Sequence, residues 1–447
     1  MRRRVLLGLG TAGAAAAFVL FGGILSSPRA SDPIKEAIVA ARTTAQQQDA
    51  LGRLLAGLST GDTAGYVRKL ERRVERDPHD ADALTLLGLS YQQRARETGD
   101  PTFYTLSDKA LRSAALEGGP LPLIVQGEAS LANTRHRFDH GLKLARRAVR
   151  LDPESASALG ALGDALLNLG RYRRAFDVYD RMTLLAPGIA SYTRVANARE
   201  LLGRPGAAAQ AELAALQIDD TVPEHVAWTT VQLGNVYFNM GRLDAAAKAY
   251  SKALARFPGY VHAEAGLARV EASKGLYRSA VRHLRHVVEV LPIPAYVIML
   301  GDVLHASGRE TAAQREYALV GAIERLFESN GVRTELQTAV FDLDHRRNVA
   351  DALERARTAY ASAPGVYAED ALAWGLFRAG RCEEARSHAT HALRLGTRDA
   401  LLLFHRGMIE RCLGDASATS SFRRALAINP HFSFLWASVA RKALDAG

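Results

Sequence analysis

Asp302 and His305 stand three residues apart, a spacing that puts a carboxylate and an imidazole on one helix face, where two ligands can share one ion. Asp344 and His345 repeat the two residue types further along, so a mixed carboxylate and imidazole metal site is one reading of these four. His136 and His140, His283 and His286, and His388 and His391 also have same-face spacing, but arginines surround each pair, and a solvated surface is expected for them. The sequence holds no Gly-x-Ser-x-Gly, phosphate loop, dinucleotide fingerprint or His-Glu-x-x-His. With no catalytic constellation to assign, a non-enzyme without a cofactor is expected.

Such residues need a scaffold, and the composition narrows its kind. The 447 residues are 48% hydrophobic and 23% charged, enough apolar material for a core and too little charge for global disorder. Two cysteines exclude a disulfide-stapled miniprotein, and a single long apolar run excludes a polytopic membrane protein. The formal charge is +10, but Arg2, Arg3, Arg4 and Arg29 flank that run, and the remaining excess is spread among mixed signs. Nucleic acid needs a clustered basic face, so it is not expected as a partner.

Residues 1–30 read as a targeting segment. Arg2 to Arg4 precede an uncharged stretch from Val5 to Leu25, which as a helix spans roughly 30 Å, the thickness of a bilayer core. The positive-inside rule then places the rest of the chain outside the cytoplasm. An uncleaved membrane anchor and a cleaved signal peptide both fit; cutting after Ala30 would put Pro28 at minus three, which suits cleavage poorly. No Cys lies near, so lipoprotein processing is excluded. Residues 31–46 read as a linker.

The remainder repeats. Pro153 and Pro187, then Pro258 and Pro292, are each 34 residues apart. Residues 156–189 carry Leu162-Gly163, Gly170, Tyr172, Ala175, Tyr179 and Pro187; residues 227–260 carry Leu233-Gly234, Tyr237, Gly241, Ala246, Tyr250 and Pro258. Small residues at Gly163 and Ala175 suit a close helix crossing, and Gly170 suits a left-handed turn between two helices. The pattern resembles the tetratricopeptide repeat, a helix-turn-helix unit of 34 residues. That resemblance implies an all-α fold, a right-handed superhelical solenoid of about eleven hairpins over residues 47–432, with a C-terminal capping helix over 433–447. About seven extra residues between Pro78 and Pro153 are expected in a loop at Arg96 to Tyr104. The run from Ala371 to Asp415 is similar to a stretch of exported bacterial tetratricopeptide proteins, which implies export and no activity.

In this family the first helix of each hairpin lines a concave groove. Mapping its inward positions onto this chain gives Asn133, Asn168, Asn197, Trp228, Asn235 and Asn239, together with Asp164, Glu200 and Phe238. An amide both donates and accepts, so repeated Asn suits an extended peptide or protein segment bound through its backbone. The family's clamp for a terminal carboxylate needs Lys where this chain has Gly160, Thr193 and Val231. Further along, the groove carries Asp302, His305, Asp344, His345, Asp370, Trp374 and Arg378. The expected function is an exported or membrane-tethered scaffold organising an envelope complex, contacting the membrane through its N-terminal segment only; the alternative is a metal or small-ligand protein using the Asp and His residues. Cys382 and Cys412 fall near one edge of adjacent hairpins. Helices pack about 8 to 10 Å apart and a disulfide needs Cα atoms within about 7 Å, so a bridge and two buried thiols both stay open.

Overall fold

The Ser155 side chain accepts from the Ala158 amide at 3.2 Å and caps a helix over Ala156–Asn168. Gly170 then turns left-handed at φ 68°, and the Arg171 amide reaches back to the Leu166 carbonyl at 2.8 Å, closing a Schellman turn before the second helix, Tyr172–Leu185. Tyr179 is buried over Gly163, where any Cβ would collide with its ring. One hairpin is thus built from a cap, a left-handed turn and a small residue under a tyrosine.

A computed structural model describes residues 52–54, 56–58, 61–218 and 222–445, and among them shows this unit again and again, with no strand. The targeting segment and linker expected over residues 1–46 lie outside the described residues. Helical residues 52–54 and 56–58 with α1 (Thr63–Arg76) form hairpin one. Hairpins two to six pair α2 (Ala81–Thr98) with α3 (Thr102–Leu116), α4 (Leu121–Thr134) with α5 (Phe138–Leu151), α6 (Ala156–Asn168) with α7 (Tyr172–Leu185), α8 (Ile189–Leu201) with α9 (Pro205–Ala215), and α10 (Pro223–Asn239) with α11 (Leu243–Arg256). Hairpins seven to eleven pair α12 (Val261–Ser273) with α13 (Tyr277–Val290), α14 (Pro294–Ala306) with α15 (Glu310–Ser329), α16 (Glu335–Asp344) with α17 (Val349–Ser362), α18 (Val366–Arg378) with α19 (Cys382–Ala392), and α20 (Ala400–Cys412) with α21 (Ser417–Ile428). A last helix, α22 (Ala437–Asp445), covers the end. Among the described residues no helix is long and apolar enough to cross a membrane.

Two local expectations are corrected. The extra residues near Arg96 mostly lengthen α2 to 18 residues, and only Gly99 to Pro101 separate it from α3. A helix that can pack its added turn satisfies its own backbone, which a loop of that length does not. The capping helix starts at Ala437 rather than 433, because the Ser433 hydroxyl accepts from the Leu435 and Trp436 amides, both at 3.2 Å, and holds a turn there. Trp436 then stacks on Phe404 and meets Trp374 edge-on, closing the last core cluster. Cys382 and Cys412 are joined by a disulfide with Cα atoms 6.3 Å apart, tying α19 to α20.

The hairpins wind far enough to meet themselves. Gly99, in the turn of hairpin two, lies against Leu291 and Ile293, in the loop between hairpins seven and eight. In the next turn, His136 Nδ1 donates to the Arg333 carbonyl at 2.7 Å, and the Arg333 amide donates to the Arg135 carbonyl at 3.1 Å. Next, the Val366 amide donates to the Tyr172 hydroxyl at 2.7 Å. Thr397 Oγ1 then donates to the Leu201 carbonyl at 2.6 Å, and Asn429 Nδ2 to the Phe238 carbonyl at 2.9 Å. The pairs bonded through His136, Tyr172, Thr397 and Asn429 are 191 to 197 residues apart in sequence, about six repeats of 34. Hairpins one to six form a first coil, and the loops of hairpins seven to eleven rest on its turns as a second. We call this contact the seam.

Candidate partner-binding cleft

The first helices carry fifteen Asp and Glu against eight Arg and Lys, whereas the second helices carry seventeen against twenty-seven. Acidic or amide groups on the first helices are tied by a recurring link. Tyr179 donates to Asp164 Oδ1 at 2.9 Å, Tyr250 to Asn235 Oδ1 at 2.8 Å, and Tyr317 to Asp302 Oδ1 at 2.8 Å; each tyrosine comes from the second helix of the same hairpin. The next hairpin then adds a cationic or aromatic group. Arg194 grips Asp164 through two bonds of 2.8 and 2.7 Å, Arg269 reaches Asn235 at 3.2 Å, His345 stands 3.1 Å from Asp302, and Trp374 Nε1 donates to Asp344 at 3.0 Å. His405, 1% exposed and stacked on Trp374, pairs with Asp370 at 2.8 Å. Burial alone would lower this imidazole, but Asp370, Asp344 and Asp399 together outweigh it and the net shift is upward.

This ladder sorts the candidates. Asn133, Asn168 and Asn197 line one cleft of about 490 Å³, together with Asp164, Tyr172 and Tyr179 from the first coil and Arg333, Glu335, Gln337 and Tyr367 from the second. Asn133 Nδ2 donates to the Ala161 carbonyl at 2.8 Å while its Oδ1 is buried against Gly141 without a partner; Asn168 Nδ2 donates to the Asp164 carbonyl at 2.9 Å, which leaves its carbonyl oxygen free, and Asn197 is exposed. Asn235 is spent on Tyr250 and Arg269 and serves the scaffold. Asn239 reaches Glu200 at 3.3 Å, and Trp228, 41% exposed, meets His262 edge-on; neither lines this cleft. The second-coil wall was not foreseen, because nothing in a 34-residue pattern says which repeat faces which across the seam.

Asp302, His305, Asp344 and His345 do not converge as one ligand set. Asp302 is held by Tyr317 beside His345, while His305 turns to Glu310 at 2.6 Å. Asp344 Oδ1 accepts from both Trp374 and Trp436, each at 3.0 Å. Among the described residues no group of three or more His, Cys, Asp or Glu is arranged to hold an ion. Of the histidine pairs, His140, His286 and His391 are exposed as expected, but most of these rings also have specific partners. His388 and His391 both contact Glu369, a carboxylate 1% exposed, at 2.9 and 2.6 Å; His283 and His286 contact Glu271 and Glu264 at 3.0 and 2.8 Å; and His136 is part of the seam. These rings sit on second helices, as the spacing implies, but an acidic residue of a first helix recruits each of these four.

Hairpin five breaks the ladder. Glu212 takes the place of the buried tyrosine and Ala196 that of the glycine beneath it. Glu212 is 2% exposed, its Oε2 has no hydrogen-bond partner, and burial together with Glu200 pushes its carboxyl up to about 8.

A family model described as "Tetratricopeptide repeat" matches residues 127–188 and 231–289. The chain contains tetratricopeptide repeats. Solved structures similar to this tetratricopeptide protein include a human IFIT1 dimer with m7Gppp-AAAA, at 14% identity over 82% of this chain and 86% of that one, TM-score 0.45. Pseudomonas aeruginosa PilF is 18% identical over 48% of this chain and 96% of its own, TM-score 0.37, and MamA is 23% identical over 36% and 92%, TM-score 0.29. These are likenesses of fold. No curated protein sequence matches the chain.

Proposed function

We propose that this tetratricopeptide protein is an exported, membrane-tethered scaffold that holds an extended segment of a protein partner in the cleft between its coils, so organising an envelope complex. The reading rests on one observation above all: Asn133, Asn168 and Asn197, from three successive hairpins, gather in one cleft, where Asn168 keeps its carbonyl oxygen unspent and Asn197 is exposed. The Asn168 and Asn197 amides, one hairpin apart, suit the backbone of an extended chain irrespective of its side chains. The tether rests on Arg2 to Arg4 and the uncharged run to Leu25.

A photocrosslinking residue at Asn197, compared with one at Arg386 on a second helix, tests the cleft. Capture of the same partner from membranes at Asn197 and not at Arg386 is expected; equal capture at both would overturn the assignment. Alkaline phosphatase fused after Asp32 should be active, and an inactive fusion beside a fluorescent cytoplasmic one would refute export.

A further inference from the structure

Hairpin nine carries Arg346 where its neighbours turn on glycine. Gly275, Gly308, Gly380 and Gly414 hold the left-handed position of hairpins seven, eight, ten and eleven, and Arg346 holds it in hairpin nine at φ 53°, a conformation unfavourable for an L side chain. Its side chain lines a cleft of about 590 Å³ with Arg347, Arg378, His305, Gln314 and Trp436. Arg378 spans the rings of Trp374 and Trp436, 5.2 and 5.5 Å from their centroids, and its only hydrogen bond among the described residues is a long one, 3.4 Å, to the Asp344 carbonyl. Neither Arg346 nor Arg378 has a carboxylate partner among the described residues. The two acidic groups on this cleft are otherwise engaged: Asp344 with the two indoles, Glu310 with His305 and Gln314. Burial first and the neighbouring Arg346 second push the Arg378 guanidinium down to about 10, only partly opposed by the charge of Asp344.

We propose that Arg346 and Arg378 form a binding site for an oxyanion, a carboxylate or a phosphate, in the second coil's cleft beside Trp436. A planar guanidinium pins such a group with paired N–H donors, and the indole faces keep Arg378 aimed without neutralising it. The left-handed arginine, at its conformational cost, then brings beside Arg378 a guanidinium without a carboxylate partner among the described residues, whereas Arg347 in the same cleft lies 3.8 Å from Asp342.

Arg346→Gly separates binding from folding, because it removes the charge while restoring the residue that the turn favours. In thermal denaturation of the full chain, inorganic phosphate or succinate at millimolar concentration should raise the midpoint above that in chloride of equal ionic strength. The Arg346→Gly variant should melt higher than the parent in chloride yet lose that response, and titration calorimetry should show affinity at least about tenfold weaker in it and in Arg378→Gln, the loss expected for one charged hydrogen-bonding partner. A response to phosphate alone identifies a phosphate site, and a response to both anions a carboxylate-tolerant one. No response in the parent, or an equal response in Arg346→Gly, would overturn the site.

Discussion

The same turn serves two masters in the two coils. In the first coil, Gly170 and Gly203 adopt left-handed backbone and also lie beneath the second coil, where a Cβ on Gly170 would come within 2.5 Å of the Pro364 carbonyl oxygen and one on Gly203 would collide with that of Gly396. In the second coil, Gly308 and Gly380 adopt the same backbone with nothing within 4 Å of a Cβ. One sequence signal therefore covers two constraints, a local one on φ and a distant one on space. The difference also explains why a non-glycine can stand in hairpin nine, as Arg346, whereas in the first coil only His136 replaces glycine, and it does so by putting its own ring into the seam.

The comparison can be broken most forcefully at the seam. Gly203→Ala should cost about 3 kcal/mol or more, combining left-handed strain with separation of the coils, whereas Gly380→Ala should cost about 1 kcal/mol from strain alone. Urea denaturation measures both, and X-ray scattering should show the Gly203 variant alone expanded; equal costs would mean that the seam contributes nothing. Glu212, in the first coil, should have the next largest effect. Its carboxyl stays protonated in the folded chain up to about pH 8 but ionises in the unfolded chain above the ordinary range near 4.5, so the folded state binds more protons and stability falls as pH rises between those values. Glu212→Gln should therefore stabilise by about 3 kcal/mol at pH 8 and by almost nothing at pH 4, read from denaturation midpoints across that range. A pH-independent effect would place the charge in solvent instead.

Tyr172→Phe sharpens the comparison more gently. It strands the buried Val366 amide and should cost about 2 kcal/mol, speeding hydrogen exchange at Val366 and in the loop before it. Tyr277, its counterpart at the start of the second helix of hairpin seven, makes no hydrogen bond through its hydroxyl among the described residues, and Tyr277→Phe should leave exchange in the loops unchanged. Asn197→Ala should move stability by no more than about 0.5 kcal/mol and act only on partner binding. A larger loss of stability would make Asn197 a scaffold residue like Asn235.

How far the site was legible follows from the same geometry. The spacing of Gly163, Gly170, Tyr179 and Pro187 defines a hairpin whose parts all lie within one repeat, and the structure places each as that spacing implies. The groove amides were half legible. Asn197 and Asn235 hold the same place in their repeats, but whether an amide faces a cleft or a tyrosine hydroxyl depends on the residue fifteen positions later, Glu212 for the one and Tyr250 for the other, and on the next hairpin, as Arg269 shows for Asn235. The Asp302 to His345 cluster misled for a related reason: buried acids on first helices need partners, and histidine, tyrosine and tryptophan supply them at spacings that imitate ligand sets.

What the sequence by itself determined is the repeating hairpin, because capping, left-handed turns and small residues under aromatic rings act within about 34 residues. The tertiary structure alone decided that the coil closes on itself after about six hairpins. Superhelical pitch is the sum of small rotations between neighbours, each set by side-chain packing at one interface, and no single repeat contains that sum. Hence Tyr172 meets Val366, Thr397 meets Leu201, and the cleft that gathers Asn133, Asn168 and Asn197 takes its opposite wall from residues nearly 200 positions away.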